Sequence, residues 1–168
     1  MSAPEHRRLA EQSPVYVGVL TISDTRTPET DQSGKWMKVA LEAVGHVVTH
    51  YAIVLDEPDV IRQTVYTWSS EVQAIITSGG TGISHRDQTF EALSGLIQKN
   101  IPGFGEVFRM LSYHEVGAAA MLSRAVAGLI DHGTLLFCLP GSLNAVRLGM
   151  EKLILPEIAH MVWELKRT

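Results

Sequence analysis

The stretch VQAIITSGGTGISHRD, residues 72–87, decides the fold of this chain. Its first part, VQAIITS, is rich in β-branched and apolar residues, and the remainder carries three glycines and ends in Arg86 and Asp87. A short apolar run bounded by a glycine turn is typical of a buried strand in a parallel sheet. Glycine permits positive φ, which a tight turn requires, and it lets backbone amides approach a ligand closely. The stretch is therefore either a purely structural turn or an anion-binding site.

Strands and helices alternate on both sides of this stretch. Further strands are predicted for VYVGVLTIS (15–23), VVTHYAIVL (47–55), AVAGLID (125–131) and TLLFCLP (134–140), the last two around a tight turn at His132-Gly133. Helices are predicted at 34–45, 56–70, 89–97, 105–116 and 142–165, the last interrupted by Pro156. This order predicts an α/β fold with three α/β/α layers, in which helices cover both faces of a mainly parallel sheet.

Composition narrows the class of protein. The 168 residues, 45% hydrophobic and 19% charged, predict a single domain over 15–168 behind a flexible N-terminal tail, 1–14. A net charge of −4 disfavours a nucleic-acid partner. The chain has neither a membrane-spanning apolar run nor a signal peptide, so we expect a cytoplasmic protein without a membrane partner. The single cysteine, Cys138, is expected to be a buried apolar residue.

Polar residues follow several of the predicted strands. In α/β sheets, ligands bind beyond the carboxyl ends of the strands. Ser23-Asp24 follows the first strand, Asp56 follows the second, the glycine stretch follows the third, and LPGSLNA (139–145) follows a later one. We therefore expect these loops to meet at one edge of the sheet and to form a ligand site.

The carboxylates in these loops have two possible roles. Asp56 and Asp87 each precede a predicted helix and could simply cap it. If they face a common cleft, a divalent cation would relieve their repulsion, and Mg²⁺ suits carboxylate and phosphate oxygens. Arg86 offers a fork of donors for phosphate, or it forms a structural ion pair. Two carboxylates, a cation and a phosphate-binding turn together indicate phosphoryl or nucleotidyl transfer.

Several motifs, in this order, resemble the molybdenum cofactor biosynthesis proteins MoaB and MogA, more closely the MoaB branch. They are TISDTR (21–26), Asp31-Gln32-Ser33-Gly34, TSGGTGISHRDQTFEAL (77–93), GFGEVFRMLS (103–112), LSRAVAG (122–128) and LPGS (139–142). The resemblance covers about 15–165. It implies a molybdopterin-binding domain that assembles as a trimer or a dimer of trimers. It also implies that the protein adenylylates molybdopterin with Mg²⁺ and ATP and releases pyrophosphate.

The resemblance also assigns residues. It implies that Asp56 and Asp87 are catalytic and hold the metal. The implied substrate-binding residues are Ser23, Asp24, Ser78, Gly79, Gly80, Thr81, Gly82, Arg86, Pro140, Gly141 and Ser142, with glycine amides binding anionic groups. The chain departs from many relatives by carrying Phe90 and Leu143 at positions where those have proline. Two other functions stay open: a non-catalytic molybdopterin-binding or carrier protein, and a phosphate or nucleotide enzyme that shares only the fold.

The segment from Phe104 to Leu122 is unusually apolar for one helix on a sheet. Large apolar side chains recur through it and include Val107, Met110, Tyr113 and Met121. We expect part of this surface to contact other subunits, with packing into the core as the alternative.

Overall fold

A computed structural model describes residues 4, 5, 8 and 13–167 of the chain. One six-stranded sheet has the order β2-β1-β3-β6-β5-β4. The strands are β1 (Tyr16–Ile22), β2 (Val47–Val54), β3 (Ala74–Ser78), β4 (Lys99–Asn100), β5 (Val126–Ile130) and β6 (Thr134–Leu139). The pairs β2–β1, β1–β3 and β3–β6 are parallel. Strand β5 pairs antiparallel with both β6 and β4. Most of the predicted tail, 1–14, lies outside the described residues, so that prediction stays a prediction.

Helices follow most of the strands. They are α1 (Gln32–Ala43), α2 (Pro58–Ser69), α3 (Thr89–Ser94), α4 (Pro102–Val116), α5 (Leu143–Gly149) and α6 (Leu155–Lys166). A 3-10 helix, Gly117–Leu122, follows α4, and a π-helical turn, Met150–Ile154, separates α5 from α6. Among the described residues, no helix combines the length and apolarity needed to cross a bilayer.

Each face of the sheet carries its own apolar core, which confirms the predicted three layers. Side chains alternate along a strand, so Val17 and Val19 of β1 point to one face while Leu20 and Ile22 point to the other. Helices α1, α4, α5 and α6 cover the first face, and α2 and α3 cover the second. Burying these apolar side chains is the main source of stability. It also holds each strand in place, together with the loop that follows it.

Three local predictions differ from the structure. The helix expected at 89–97 ends at Ser94, and the one expected from 105 already begins at Pro102. The C-terminal helix breaks before Pro156, within Met150–Ile154. Proline has no amide hydrogen for the carbonyl four residues earlier, so the chain widens into π-type turns ahead of it.

The expected hairpin turn and the expected burial of the cysteine are both confirmed. His132 and Gly133 have φ values of 65° and 70°, the left-handed geometry of a tight connection between β5 and β6. Cys138 is fully buried in β6, and burial raises the pKa of its thiol to about 12. The thiol is therefore a packing group rather than a nucleophile.

Candidate functional site

The carboxyl ends of β1, β3 and β6 lie side by side, and the loops that follow them meet there. The chain leaves β1 towards β2 on one side and reaches β3 on the other, which creates the crevice where such sheets bind ligands. The amide of Gly79 donates to the carbonyl of Leu139 at 2.9 Å. A Cβ on Gly141 would lie 3.3 Å from the Cα of Gly79. The predicted meeting of the loops is thus confirmed.

The glycine turn is fastened from below by Thr89. Gly79 and Gly80 have φ values of 105° and 66°, which strongly favour glycine. The buried hydroxyl of Thr89 donates to the carbonyl of Gly79 at 2.9 Å, and its amide donates to the carbonyl of Gly80 at 3.1 Å. The prediction that the glycine amides would bind an anion is wrong for Gly79, because its amide is already bonded to Leu139.

Three carboxylates, Asp24, Asp56 and Asp87, lie beside this turn and are called the acidic cluster below. The amide of Asp56 donates to Oδ1 of Asp24 at 3.1 Å, and the amide of Gln88 donates to Oδ1 of Asp56 at 3.2 Å. Oδ2 of Asp87 accepts from the amide of Ser84 at 2.9 Å. The N-cap residues of α2 and α3 are Glu57 and Gln88, and neither side chain makes a capping hydrogen bond. The capping alternative therefore fails for both predicted aspartates.

Electrostatics within the acidic cluster favour a cation. Burial raises the pKa of Asp56 first, and the negative charges of Asp24 and Asp87 raise it further. The amide of Asp56 and the guanidinium of Arg86 lower the pKa of Asp24. Arg86 is ion-paired to Asp24, and its side chain is 75% exposed. The structural ion pair considered for Arg86 is thus present, and it compensates only part of the negative charge.

A bound cation would have to draw on oxygen ligands from outside the protein. In the described part of the chain, no group of three or more His, Cys, Asp or Glu is arranged to hold a metal ion. Mg²⁺ often uses one or two carboxylates and completes its shell with water and substrate phosphate. Asp56 and Asp87, in a cluster with uncompensated negative charge, fit that requirement.

Beside the acidic cluster lies a small polar cavity of about 280 Å³, called the donor-lined pocket below. It is lined by Thr21, Ile22, Ser23, Thr25, Arg26, Asp31, Ser78, Gly141 and Ser142. Its floor is the buried carboxylate of Asp31, which accepts from Thr21 Oγ1 at 2.7 Å, Tyr51 Oη at 2.6 Å and the amide of Gly34 at 3.0 Å. Burial, and then the hydrogen bond to Asp31, raise the pKa of Tyr51.

The structure thus divides the sequence-predicted residues between two neighbouring regions. Ser23, Ser78, Gly141 and Ser142 line the donor-lined pocket, whereas Asp24, Asp56, Arg86, Asp87 and the turn glycines Gly80 and Gly82 form the acidic side. Gly79 joins the two regions. Two predicted residues belong to neither group. Thr81 is buried, and its carbonyl accepts from the amide of Arg124 at 3.0 Å. Pro140 is half-buried and directly follows β6.

Sequence reasoning missed the residues that hold the LPGS loop against α1. Ser33 Oγ donates to the carbonyl of Gly141 at 3.0 Å, and Asp31 caps α1 through the amide of Gly34. The motif Asp31-Gln32-Ser33-Gly34 was visible in the sequence, and an Asp directly before a helix is a capping signal. The link to a loop 108 positions away was not visible.

Arg124 was also missed, although it fixes the outer half of the glycine turn. Its Nε and Nη2 donate to the carbonyl of Gly82 at 3.0 and 2.6 Å, and Nη2 donates to the carbonyl of Asp87 at 3.1 Å. Its guanidinium pairs with Glu91 and lies 5.2 Å from the ring centroid of Phe90. Arg124 lies in the motif LSRAVAG, but nothing in that motif indicates a contact with the glycine turn.

Known proteins that are similar to this chain agree with one another. Residues 18–160 match the family described as "Probable molybdopterin binding domain". The Molybdenum cofactor biosynthesis protein B of Bacillus subtilis (strain 168) is 50% identical over 170 residues, which cover 99% of this chain and 99% of that protein.

Two solved structures extend the likeness to the fold. A crystal structure of Molybdenum cofactor biosynthesis protein B has a TM-score of 0.88 at 50% identity and covers 93% of this chain and 98% of its own. The crystal structure of tungsten cofactor synthesizing protein MoaB from Pyrococcus furiosus has a TM-score of 0.83 at 35% identity and covers 92% and 99%.

Proposed function

This chain belongs to the molybdopterin-binding-domain family of molybdenum cofactor biosynthesis proteins, and we propose that it is a Mg²⁺-dependent molybdopterin adenylyltransferase. One observation carries the proposal. Gly79 approaches Gly141 of the donor-lined pocket, while a Cβ on the next residue, Gly80, would lie 2.9 Å from Oδ2 of Asp56. A glycine turn thus joins a region that suits an anion to a region that suits a cation. Nucleotidyl transfer requires both.

In the proposed reaction, an oxygen of the terminal phosphate of molybdopterin attacks the α-phosphorus of ATP. The new phosphorus–oxygen bond forms as the bond from the α-phosphorus to the bridging oxygen breaks, and pyrophosphate leaves. Asp56 and Asp87 would hold Mg²⁺, which when bound supplies neutralisation of charge on the reacting phosphates. Positioning accounts for most of the acceleration in this chemistry, so a rigid turn between the two regions supports the proposal.

The residues of the chain have separate duties in this proposal. A Cβ at Gly80 or Gly82 would meet the carboxylate of Asp56 or Asp87, so the two glycines let the turn lie directly against those carboxylates. Arg86 leaves part of its donor fork free while it pairs with Asp24. Arg124 holds the carbonyls of Gly82 and Asp87 in place.

The test is pyrophosphate release by the purified protein with molybdopterin, ATP and Mg²⁺. We expect release to require both substrates and to stop when the divalent cation is chelated. Calorimetric titration with pterin and then with ATP gives a second, independent readout. Pterin binding without ATP binding or pyrophosphate release would contradict the enzyme and identify a carrier.

We propose also that the protein is a homo-oligomer, a trimer or a dimer of trimers. Phe104 and Phe108 are buried in the core, which accounts for part of the apolar segment. Leu111 is half-buried against the same core. The other large apolar side chains are exposed: Val107, Met110, Tyr113, Val116, Met121 and Leu122. An apolar surface of this extent supports a subunit contact. Light scattering should show an oligomer, and a monomer at micromolar concentration would contradict this assignment.

A further inference from the structure

We propose that subunit assembly controls the glycine turn that carries Asp87, and that Arg124 connects the two. This coupling rests on the proposed homo-oligomer and goes beyond it, because the turn then reaches its working arrangement only when a second copy of the chain covers a neighbouring groove. The groove has a volume of about 670 Å³ and is lined by residues of α4, the 3-10 helix and β5, together with Phe90 and Arg124. It is called the α4 groove below.

The α4 groove is continuous with the apolar surface proposed as the subunit contact. Glu106 and Arg109 line the groove, and a spacing of three or four residues places Tyr113 and Val116 on the same stripe of the helix. Both of these apolar side chains are exposed, and so is Met121, which belongs to the wall of the groove itself. A subunit packed along this stripe therefore extends over the groove.

A second copy of this chain is the occupant that the groove favours. Six of the fifteen large apolar side chains that are exposed in the described residues lie between Val107 and Leu122. Beside them, Glu106 and Arg109 belong to no ion pair within the described part of the chain, and Arg109 donates only to backbone carbonyls. A surface that combines an apolar stripe with one unpaired acid and one unpaired base is complementary to itself, so copies of the chain can satisfy one another.

The α4 groove offers little to a small polar ligand. The guanidinium of Arg124 already donates to the carbonyls of Gly82 and Asp87 and pairs with the carboxylate of Glu91. A cation whose donors are used inside its own chain can be covered by protein without losing hydrogen bonds. Among the described residues that line the groove, none is a buried polar side chain without a partner. The groove is therefore suited to burial under another subunit.

Assembly acts on the glycine turn through the side chain of Arg124. This side chain lines the groove and is 27% exposed, so water competes for its hydrogen bonds to Gly82 and Asp87. A subunit over the groove excludes that water and lowers the local dielectric, which strengthens those hydrogen bonds and the ion pair to Glu91. The ring of Phe90, 5.2 Å from the guanidinium, is covered at the same time. Assembly thus holds residues 82–87 in one arrangement.

Hydrogen exchange within the turn tests the coupling without any reaction. The amides of Ser84, Arg86 and Asp87 are bonded inside the turn, and we expect them to exchange about tenfold faster in the dissociated protein than in the oligomer. Met121→Glu should cause the dissociation, because it places a charge in the wall of the groove. Tyr66→Glu is the matched control, since Tyr66 is an exposed apolar residue on α2, which covers the opposite face of the sheet.

A double-mutant cycle shows whether Arg124 carries the coupling. Arg124→Lys has lost the fork that holds the turn, so adding Met121→Glu to it should accelerate exchange by much less than tenfold. The full tenfold acceleration in the double variant would overturn the role of Arg124.

Sizing by light scattering separates the remaining outcomes. A Met121→Glu variant that stays assembled overturns the groove as a subunit contact. Dissociation with unchanged exchange in the turn overturns the coupling and leaves the proposed oligomer intact, whereas a monomeric wild type overturns both. Pyrophosphate release has no part in this decision, so failure of the proposed adenylylation is recognised separately.

Discussion

The donor-lined pocket and the acidic cluster share one edge of the sheet but are built differently. The pocket rests on residues of the core: Thr21 and Ser78 belong to strands, and Asp31, Thr21 and Ser78 are all at most 5% exposed. The acidic cluster stands on loops and is held by backbone amides, with an exposed arginine as its counter-charge. Substitution of Asp31, the hydrogen-bonded residue of the pocket, should therefore affect folding, and substitutions in the cluster should affect chemistry.

The largest expected effect is on the chemistry of the acidic cluster. Asp87→Asn keeps an acceptor for the amide of Ser84 but removes the charge, so pyrophosphate release should fall on the order of 100-fold or more. Asp87→Ala should be at least as slow. Thermal stability should hardly change. Asp59→Asn is the control, since that side chain is 95% exposed on α2. An active Asp87→Ala variant, as fast as wild type, would sink the proposed mechanism.

Asp31→Ala should have the largest effect on stability. It leaves the hydroxyls of Thr21 and Tyr51 and the amide of Gly34 without their acceptor, so we expect a loss of about 3 kcal/mol in the free energy of unfolding. Urea denaturation measures this loss. Tyr51→Phe removes only one of the three bonds and should cost about 1 kcal/mol. If Asp31→Ala unfolds at the same urea concentration as wild type, the pocket does not depend on the core as described.

Arg124→Lys should lower turnover about tenfold through misplacement of Asp87. A lysine cannot reproduce the fork that binds the carbonyls of Gly82 and Asp87. Amides of residues 82–87 should then exchange hydrogen faster, which is a readout separate from activity. Glu91→Gln is the matched control, because it removes the ion pair and keeps those backbone contacts. Unchanged exchange in Arg124→Lys would exclude a positioning role.

The smallest expected effect is the contribution of Asp56 to the pH dependence of folding stability. Its folded pKa lies above the ordinary value of 3.8, so the folded chain binds this proton more tightly than the unfolded chain does. The free energy of unfolding contributed by Asp56 is therefore greatest at low pH and decreases as the pH rises through the raised pKa. Asp56→Asn removes this loss and should raise the thermal midpoint at neutral pH by roughly 1–3 °C. A lower midpoint would show that ionised Asp56 is stabilising.

Local pattern was sufficient for most of the fold. The alternation of apolar runs with helical periodicity gave the parallel strands, the layers and the antiparallel hairpin, because those signals reside in neighbouring residues. It was less accurate where the tertiary structure overrides local preference. Val44 continues the apolar spacing of α1, but it lies just past the end of that helix and is 54% exposed, whereas Met37 and Leu41 face the sheet. The helix boundaries at Ser94 and Pro102, by contrast, coincide with local signals that the prediction did not use, Gly95 as a C-cap and a proline in the first turn.

The candidate site divides along the same line. Sequence by itself identified the loops at the edge of the sheet, the aspartates and the glycine turn, because their position after apolar strands and the order of the motifs are written in the chain. Only the tertiary structure decided that the amide of Gly79 donates to the carbonyl of Leu139, that Arg86 pairs with Asp24, and that the Ser78 hydroxyl stays unpaired. Hydrogen bonds and charges are satisfied by groups that are distant in sequence, so no local pattern reveals which donors are left for a ligand.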